Sequence, residues 1–220
     1  MGKFGAFDII GPRMIGPSSS HTAGAAKLSR LARKIADDDV KSAVITLYGS
    51  FAETGKGHGT DKALCAGLLG FESDDLRLRY SLLLAEEADI DMKFIFSDEE
   101  APHPNHVKLE ITGHDGRVTV VEGNSVGGGN VEITSINNMH VRLTGEYPAL
   151  IVHYIDKPGM ISRVTDLLAE QNINVAFMRV FRTGRREDAC MVIETDTPVN
   201  GDIVKDIYKL SAGIFEVRTV

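Results

Sequence analysis

"ALIVHYIDKPGMISRVTDLLAEQN" (Ala149–Asn172) changes its hydrophobic period part-way along. Ala149–Ile155 is an almost unbroken apolar run of strand length, rich in β-branched residues. Beyond it, Ile161, Val164, Leu167 and Leu168 recur at the spacing of one helical face. Asp156 is placed to cap that helix, with Pro158 near its first turn. Asn172 and Asn174 fall where the pattern ends, as helix terminators or as polar contacts for a ligand.

Working outward, "INVAFMRVFRT" (Ile173–Thr183) and "DACMVIET" (Asp188–Thr195) read as two strands joined across Gly184-Arg185-Arg186. The second alternates, with Ala189, Met191 and Ile193 on one face. Val199–Leu210 puts Ile203, Ile207 and Leu210 on one helical stripe, and "GIFEVRTV" (Gly213–Val220) closes with a strand. The order β-α-β-β-α-β within residues 148–220 predicts a ferredoxin-like sandwich. Gly145-Glu146-Tyr147-Pro148 marks its boundary with residues 1–145.

The first 145 residues predict a separate α+β domain. Thr22–Asp37 reads as a helix with Ala25, Leu28, Leu31, Ala32 and Ile35 inward. "SAVITLYGSF" (Ser42–Phe51) reads as a buried strand, and "GTDKALCAGLLG" (Gly59–Gly70) as a second helix with a glycine stop, capped by Thr60 or Asp61. "VKLEITG" and "RVTVVEG" predict a hairpin across His114-Asp115-Gly116. "SVGGGNVEI" (Ser125–Ile133) and "NMHVRLTG" (Asn138–Gly145) follow as strand-like segments. The acidic stretch Glu86–Glu100 reads as a solvated helix and loop. Residues 148–220 carry nine Lys/Arg against ten Asp/Glu, so most of the net charge of −7 belongs to the first domain.

Four stretches carry chemistry. In Ser18-Ser19-Ser20-His21-Thr22, one hydroxyl suffices to cap a helix. The rest suit either an over-supplied cap or a small carboxylate or phosphate at the helix N-terminus. "GSFAETGKGHGTDKA" (Gly49–Ala63) reads as the end of a buried strand running into a glycine-rich loop and then into a helix, the loop either plainly flexible or part of a site at the strand's C-terminal end. There Lys56 can attract a carboxylate and His58 can exchange a proton. Gly127-Gly128-Gly129 implies a tight bend or a close backbone approach. His103 and His106 stand three apart in "APHPNHV", a weak metal pattern without a third ligand type. His114, His140 and His153 read as turn or strand residues. No nucleophile elbow, paired carboxylates or Walker A loop occurs.

Several classes are excluded. A net charge of −7 argues against nucleic acid and anionic membranes as main partners. No apolar run approaches the roughly 20 residues that span a bilayer. "MGKFGAFDIIGPR" (Met1–Arg13) lacks a secretory pattern, so the chain reads as cytoplasmic. Cys65 and Cys190 are its two cysteines, too few for a disulfide framework or an iron–sulfur ligand set, and read as small buried hydrophobes.

Taken together and in order, "GPSSSHTAG" (Gly16–Gly24), "YGSFAETGKGHGTDKA" (Tyr48–Ala63), "HPN" (His103–Asn105) and "SVGGG" (Ser125–Gly129) resemble the β half of the bacterial iron–sulfur-dependent L-serine dehydratases. Residues 148–220 resemble an ACT domain, a small regulatory fold that often binds amino acids. The resemblance implies a soluble enzyme of two subunits, with a [4Fe–4S] cluster held by the cysteines of the α subunit and no metal in this chain. By that resemblance the open iron would supply Lewis acidity to the serine hydroxyl, a base would take the Cα proton, hydroxide would leave, and the resulting enamine would hydrolyse to pyruvate and ammonia. It implies His58 as the base and His21 as its catalytic companion. Ser18, Ser19, Ser20 and Thr22 then orient the L-serine carboxylate, with Lys56, His103 and Asn105 shaping the site. Some relatives carry a second histidine after His58, where Gly59 stands here. For the ACT half it implies a ligand site at Lys157-Pro158-Gly159, extended by Asn172 and Asn174, and pairing of two ACT domains. A related fold also serves some phosphoglycerate dehydrogenases without catalysing, which leaves a second expectation: a regulatory module binding an amino acid or carboxylate.

Overall fold

The computed structural model describes residues 13–37 and 39–220. The reading of the N-terminal stretch as leaderless rests on residues 1–12, which lie outside the described residues. The chain divides into two compact units, Met1–Asn137 and Asn138–Val220.

In the first unit a π-helical turn, Ser19–Gly24, leads into α1 (Ala25–Ile35). All five residues expected inward on α1 are buried. Next come β1 (Ser42–Leu47), α2 (Gly49–His58), α3 (Thr60–Leu68), a 3-10 turn at Leu76–Tyr80 and α4 (Ser81–Glu87). The strands β2 (Asp91–Phe96), β3 (His106–Thr112), β4 (Val118–Gly127) and β5 (Asn130–Ile136) complete it. The sheet order is β2-β1-β3-β4-β5. β1 is parallel to β2; the other neighbours are antiparallel. Ile45 pairs with Leu109, and Leu109 with Val121, so one face carries an apolar row while Glu110, Lys108 and Glu122 alternate onto the other.

Three expectations for this unit are corrected. The strand stops at Leu47 and no glycine-rich loop follows it: Gly49–His58 is helical, so Lys56 and His58 stand in a helix's last turn. Glycines cost a helix about 1 kcal/mol each relative to alanine, which hides this one from propensity. It forms because Phe51 is fully buried and Gly55 packs against Thr60 and Leu47. Gly59 then adopts φ +70°, turning the chain between α2 and α3 as a side chain rarely allows. Thr60 and Asp61 do not cap α3, whose N-cap is Gly59 without a side-chain bond. Finally, the acidic stretch contains β2, whose six residues pair with all of β1, Ser42 with Asp91 through Leu47 with Phe96.

α1 crosses α3 closely at Gly67. A Cβ there would overlap the Ala26 carbonyl oxygen and the Ser29 hydroxyl and lie 2.8 Å from the Arg30 nitrogen. Because part of that obstacle is backbone, it cannot turn aside. Gly67→Ala is expected to destabilise the fold by about 1–3 kcal/mol, as overpacking does, measured by urea unfolding. An unchanged midpoint would mean the two helices separate freely.

The second unit opens with β6 (Met139–Leu143) and then follows the expected order: β7 (Ala149–Ile155), α5 (Met160–Glu170), β8 (Val175–Arg182), β9 (Asp188–Thr195), α6 (Gly201–Lys209) and β10 (Ile214–Thr219). Its four-stranded sheet runs β10-β7-β9-β8. Leu150, Val152, Tyr154, Met191 and Ile193 pack with Val164, Leu168, Ile203 and Ile207 of the helices. Two details are corrected. Gly159 at φ +86° is the N-cap of α5, while Asp156 is engaged by Arg182 at 3.1 Å. Ile161 stays exposed and Met160 fills the core, because the helix starts two residues after Pro158.

Candidate functional site

The site grows from the entry to α1. Ser18 Oγ accepts the His21 backbone N–H at 3.1 Å, so one of the three serines is the cap. The turn it starts carries His21 into the protein, where it is 8% exposed. Ser20 Oγ lies 3.2 Å from His21 Nδ1 and 3.3 Å from Ser18 Oγ. The Ser19 hydroxyl has no partner among the described residues. Thr22 Oγ1 is buried without a hydrogen bond, its side chain packed where a Cβ on Gly16 would fall.

On the other side of the His21 ring stands α2. Its residues Ser50, Thr54 and His58 are four apart and share one face. His21 Nε2 meets Thr54 Oγ1 at 3.1 Å, Ser50 Oγ at 3.3 Å and the Ser50 carbonyl oxygen at 3.4 Å. The His21 and His58 ring centroids are 5.0 Å apart, and Phe51 packs edge-on to His21 at the same distance. His58 is exposed, with Nδ1 3.1 Å from the Thr54 carbonyl oxygen. A carbonyl only accepts, so that contact puts the proton on Nδ1 and leaves Nε2 a free lone pair. Burial holds His21 below the usual histidine range; the Ser50 carbonyl opposes this and neighbouring His58 adds to it.

Further expected residues arrive less directly. The backbone at Pro104 packs on Gly49, so the "HPN" segment braces the start of α2. Asn105 Nδ2 donates to the Ser125 carbonyl oxygen at 3.3 Å, and Ser125 Oγ donates to the Ser20 carbonyl oxygen at 3.0 Å. Asn105 therefore reaches the serine run through Ser125. His103 accepts the Asn105 backbone N–H and borders a separate cleft of about 470 Å³ beside Glu53 and Phe96. Lys56 Nζ lies over the Phe96 ring, 4.8 Å from its centroid. His106 is buried on Asn124 at 2.8 Å and Glu122 at 3.4 Å, so the two histidines have different partners. Gly127–Gly129 all take positive φ and form the turn and bulge between β4 and β5.

In the second unit, Lys157, Pro158 and Gly159 border a cleft of about 320 Å³ with Arg182, Arg185 and Arg186. Asn172 at φ +56° ends α5 at the other end of that helix. Asn174 Nδ2 donates to Asp196 at 2.8 Å.

The model of the serine dehydratase beta chain matches residues 6–88, and that of the ACT domain residues 149–212. The chain is 44% identical to a probable L-serine dehydratase beta chain of Bacillus subtilis, covering 93% of this chain and 92% of that one. The chain belongs to the serine dehydratase beta chain family. It is also 38% identical to the L-serine dehydratase beta chain of Peptoniphilus asaccharolyticus, over 90% of each. Against D-3-phosphoglycerate dehydrogenase of Mycobacterium tuberculosis the identity is 27%, over 58% of this chain and 25% of that one. The ACT half is a ferredoxin-like ACT domain following an α+β beta-chain domain.

An iron–sulfur cluster, which the resemblance implies for the enzyme, does not fit this chain's donors. Cys65 lies in the first unit and Cys190 in the second. Burial pushes their thiols up to about 11 and about 12, as for small buried hydrophobes. Among the described residues no group of three His, Cys, Asp or Glu converges on a metal position. No described helix is long and apolar enough to cross a membrane.

Ser50, Thr54 and Ser125 escape the sequence reading. The first two had a signal in their spacing with His58, at positions 50, 54 and 58. That signal is visible only once the segment is taken as helix.

Proposed function

We propose that this chain is the β subunit of a two-subunit L-serine dehydratase (L-serine ammonia-lyase), which converts L-serine to pyruvate and ammonia in the cytoplasm. The domains are residues 1–145, serine dehydratase beta-type, and 148–220, ACT. By family resemblance the [4Fe–4S] cluster belongs to the α subunit. The observation that carries the reading is the hydroxyl–imidazole array around His21, completed by an exposed His58 with a free Nε2. His58 Nε2 takes the substrate Cα proton. Ser19, with its uncommitted hydroxyl, and the turn's N-terminal backbone hold the carboxylate. Buried His21 keeps the serine run in place, with Thr22 behind it, while Asn105 braces Ser20 through Ser125. Lys56 adds a cation near the mouth, and His103 fixes the Asn105 loop. Loss of the Cα proton and the β-hydroxide yields the enamine, which water converts to pyruvate and ammonia.

The ACT unit binds a small ligand at Lys157-Pro158-Gly159 and pairs with a second ACT unit, while Asn172, at the other end of α5, ends the helix and Asn174 is held by Asp196. Phosphoglycerate dehydrogenase carries a related segment. That relationship favours one rival, a regulatory module that binds an amino acid without catalysing.

Mixing tests these readings. Alone, the chain leaves L-serine unchanged; with an anaerobically reconstituted α subunit, pyruvate forms. Deamination by the isolated chain overturns the two-subunit reading, and full activity of the α subunit alone favours the regulatory module. Within the complex, Ser18→Ala costs about 1 kcal/mol of stability as a lost cap. Ser19→Ala leaves melting unchanged and lowers kcat/KM about tenfold, one strong hydrogen bond in the transition state.

A further inference from the structure

The hydroxyl–imidazole array has a direction that follows from counting protons. Thr54 Oγ1 lies 2.8 Å from the Ser50 carbonyl oxygen, which can only accept, so the single Thr54 hydroxyl proton goes there. Thr54 Oγ1 must then accept from His21 Nε2, 3.1 Å away. The Ser50 carbonyl at 3.4 Å from the same nitrogen makes the same demand, and the Ser50 hydroxyl at 3.3 Å can accept there as well. His21 therefore carries its proton on Nε2, and its Nδ1 lone pair receives the Ser20 hydroxyl proton at 3.2 Å. Ser18, whose oxygen already accepts the His21 backbone N–H, donates its own proton to Ser20 Oγ at 3.3 Å. The carbonyl of the same Thr54 fixes the opposite tautomer in His58.

We infer that Thr54 is the positioning residue of this site, its hydroxyl fixing His21 as the Nε2–H tautomer while its carbonyl fixes His58 as Nδ1–H. The consequence falls on Ser20. With its proton committed to His21, Ser20 meets a ligand as an acceptor, the polarity an ammonium group requires. Ser19, one residue away with a hydroxyl free to donate, has the polarity a carboxylate requires. Two adjacent serines thus differ in polarity, one an acceptor and one a free donor, as the ammonium and the carboxylate of an amino acid require. This last step rests on the amino-acid reading proposed above; the tautomer assignment does not.

The test is made on the β chain alone, by nitrogen NMR of its histidine rings at a pH where His21 is neutral. Protonated and bare ring nitrogens resonate far apart, so each tautomer is read directly. The wild type should show His21 with a bare Nδ1 and His58 with a bare Nε2. Thr54→Val removes the hydroxyl and should lower the His21 Nε2–H to Nδ1–H ratio about fivefold or more, the weight of one hydrogen bond. Thr54→Ser should restore the wild-type ratio, and His58, held by the backbone, should keep its tautomer in both variants. An Nδ1–H His21 in the wild type, or a ratio untouched by Thr54→Val, overturns the inference. Should Thr54→Val alter the fold, the wild-type spectrum with that of Thr54→Ser decides alone. No turnover enters this readout, so it can fail while L-serine deamination stands, and the converse holds.

Discussion

If His58 is the base proposed above, His58→Asn is expected to lower kcat of the assembled α–β enzyme by about 100-fold or more, the scale on which a general base contributes. The substitution is local. His58 is exposed in the last turn of α2, where it meets the Thr54 carbonyl through Nδ1 and the His21 ring. Asparagine keeps a donor for that carbonyl but has no group able to take a carbon-bound proton at neutral pH. A surface change of this kind moves stability by about 0.5 kcal/mol or less. Melting, cluster content and affinity for the α subunit should therefore match the wild type, which separates chemistry from assembly. In the same samples, exchange of the L-serine Cα proton with deuterated solvent should disappear. A variant that keeps its kcat moves the base to another group, and His58 becomes part of the wall of the site. A variant that loses α-subunit binding along with activity makes His58 an interface residue instead.

The sequence carried the ACT half because its apolar runs are compact and well separated, although β9 is buried on both faces, Cys190 and Val192 included. Ala189, Met191 and Ile193 alternate along β9, and Ile203 and Ile207 repeat along α6; each pattern faces the single core that the fold offers. The serine run was legible in kind: one hydroxyl caps, and the others are left for something else. What stayed hidden was the partner surface. Gly55 and Gly57 disguise α2, because propensity counts backbone entropy and cannot see Phe51 or Gly55 packing against the strand behind them. With α2 taken for a loop, Ser50 and Thr54 had no reason to share a face with His58, and the contacts that define His21 could not be drawn. β2 was hidden differently. Its six residues sit between carboxylates, and as an edge strand it leaves Ile95 and Phe96 partly in water, so burial did not mark it. Both misses are tertiary overrides of local pattern, and both lie where the site is built.

Glu216→Gln is expected to cost about 3 kcal/mol at pH 7, the largest effect on stability among these substitutions. The carboxylate lies on β10 directly across from His153 on β7. Its Oε2 is 3.0 Å from His153 Nδ1, and its Oε1 accepts from Arg218 Nη2 at 2.8 Å. His153 and Arg218 are 5% and 6% exposed, so both lean on this carboxylate in a place water scarcely reaches. The His153 hydrogen bond holds the Glu216 carboxyl down at about 2, against burial, which raises it, and with help from Arg218. The folded pKa thus lies below the ordinary 4.5. Stabilisation from this group is complete above about pH 5 and is lost as pH falls through 4 toward 2. Glutamine keeps the shape and removes the charge, so the wild type and the variant should differ by the full amount at pH 7 and converge near pH 2. Urea unfolding at several pH values reads this, with amide exchange of β7 and β10 locating the loss. A gap that persists undiminished at pH 2 assigns the cost to packing, and no gap at pH 7 means that His153 and Arg218 are held equally well without the charge.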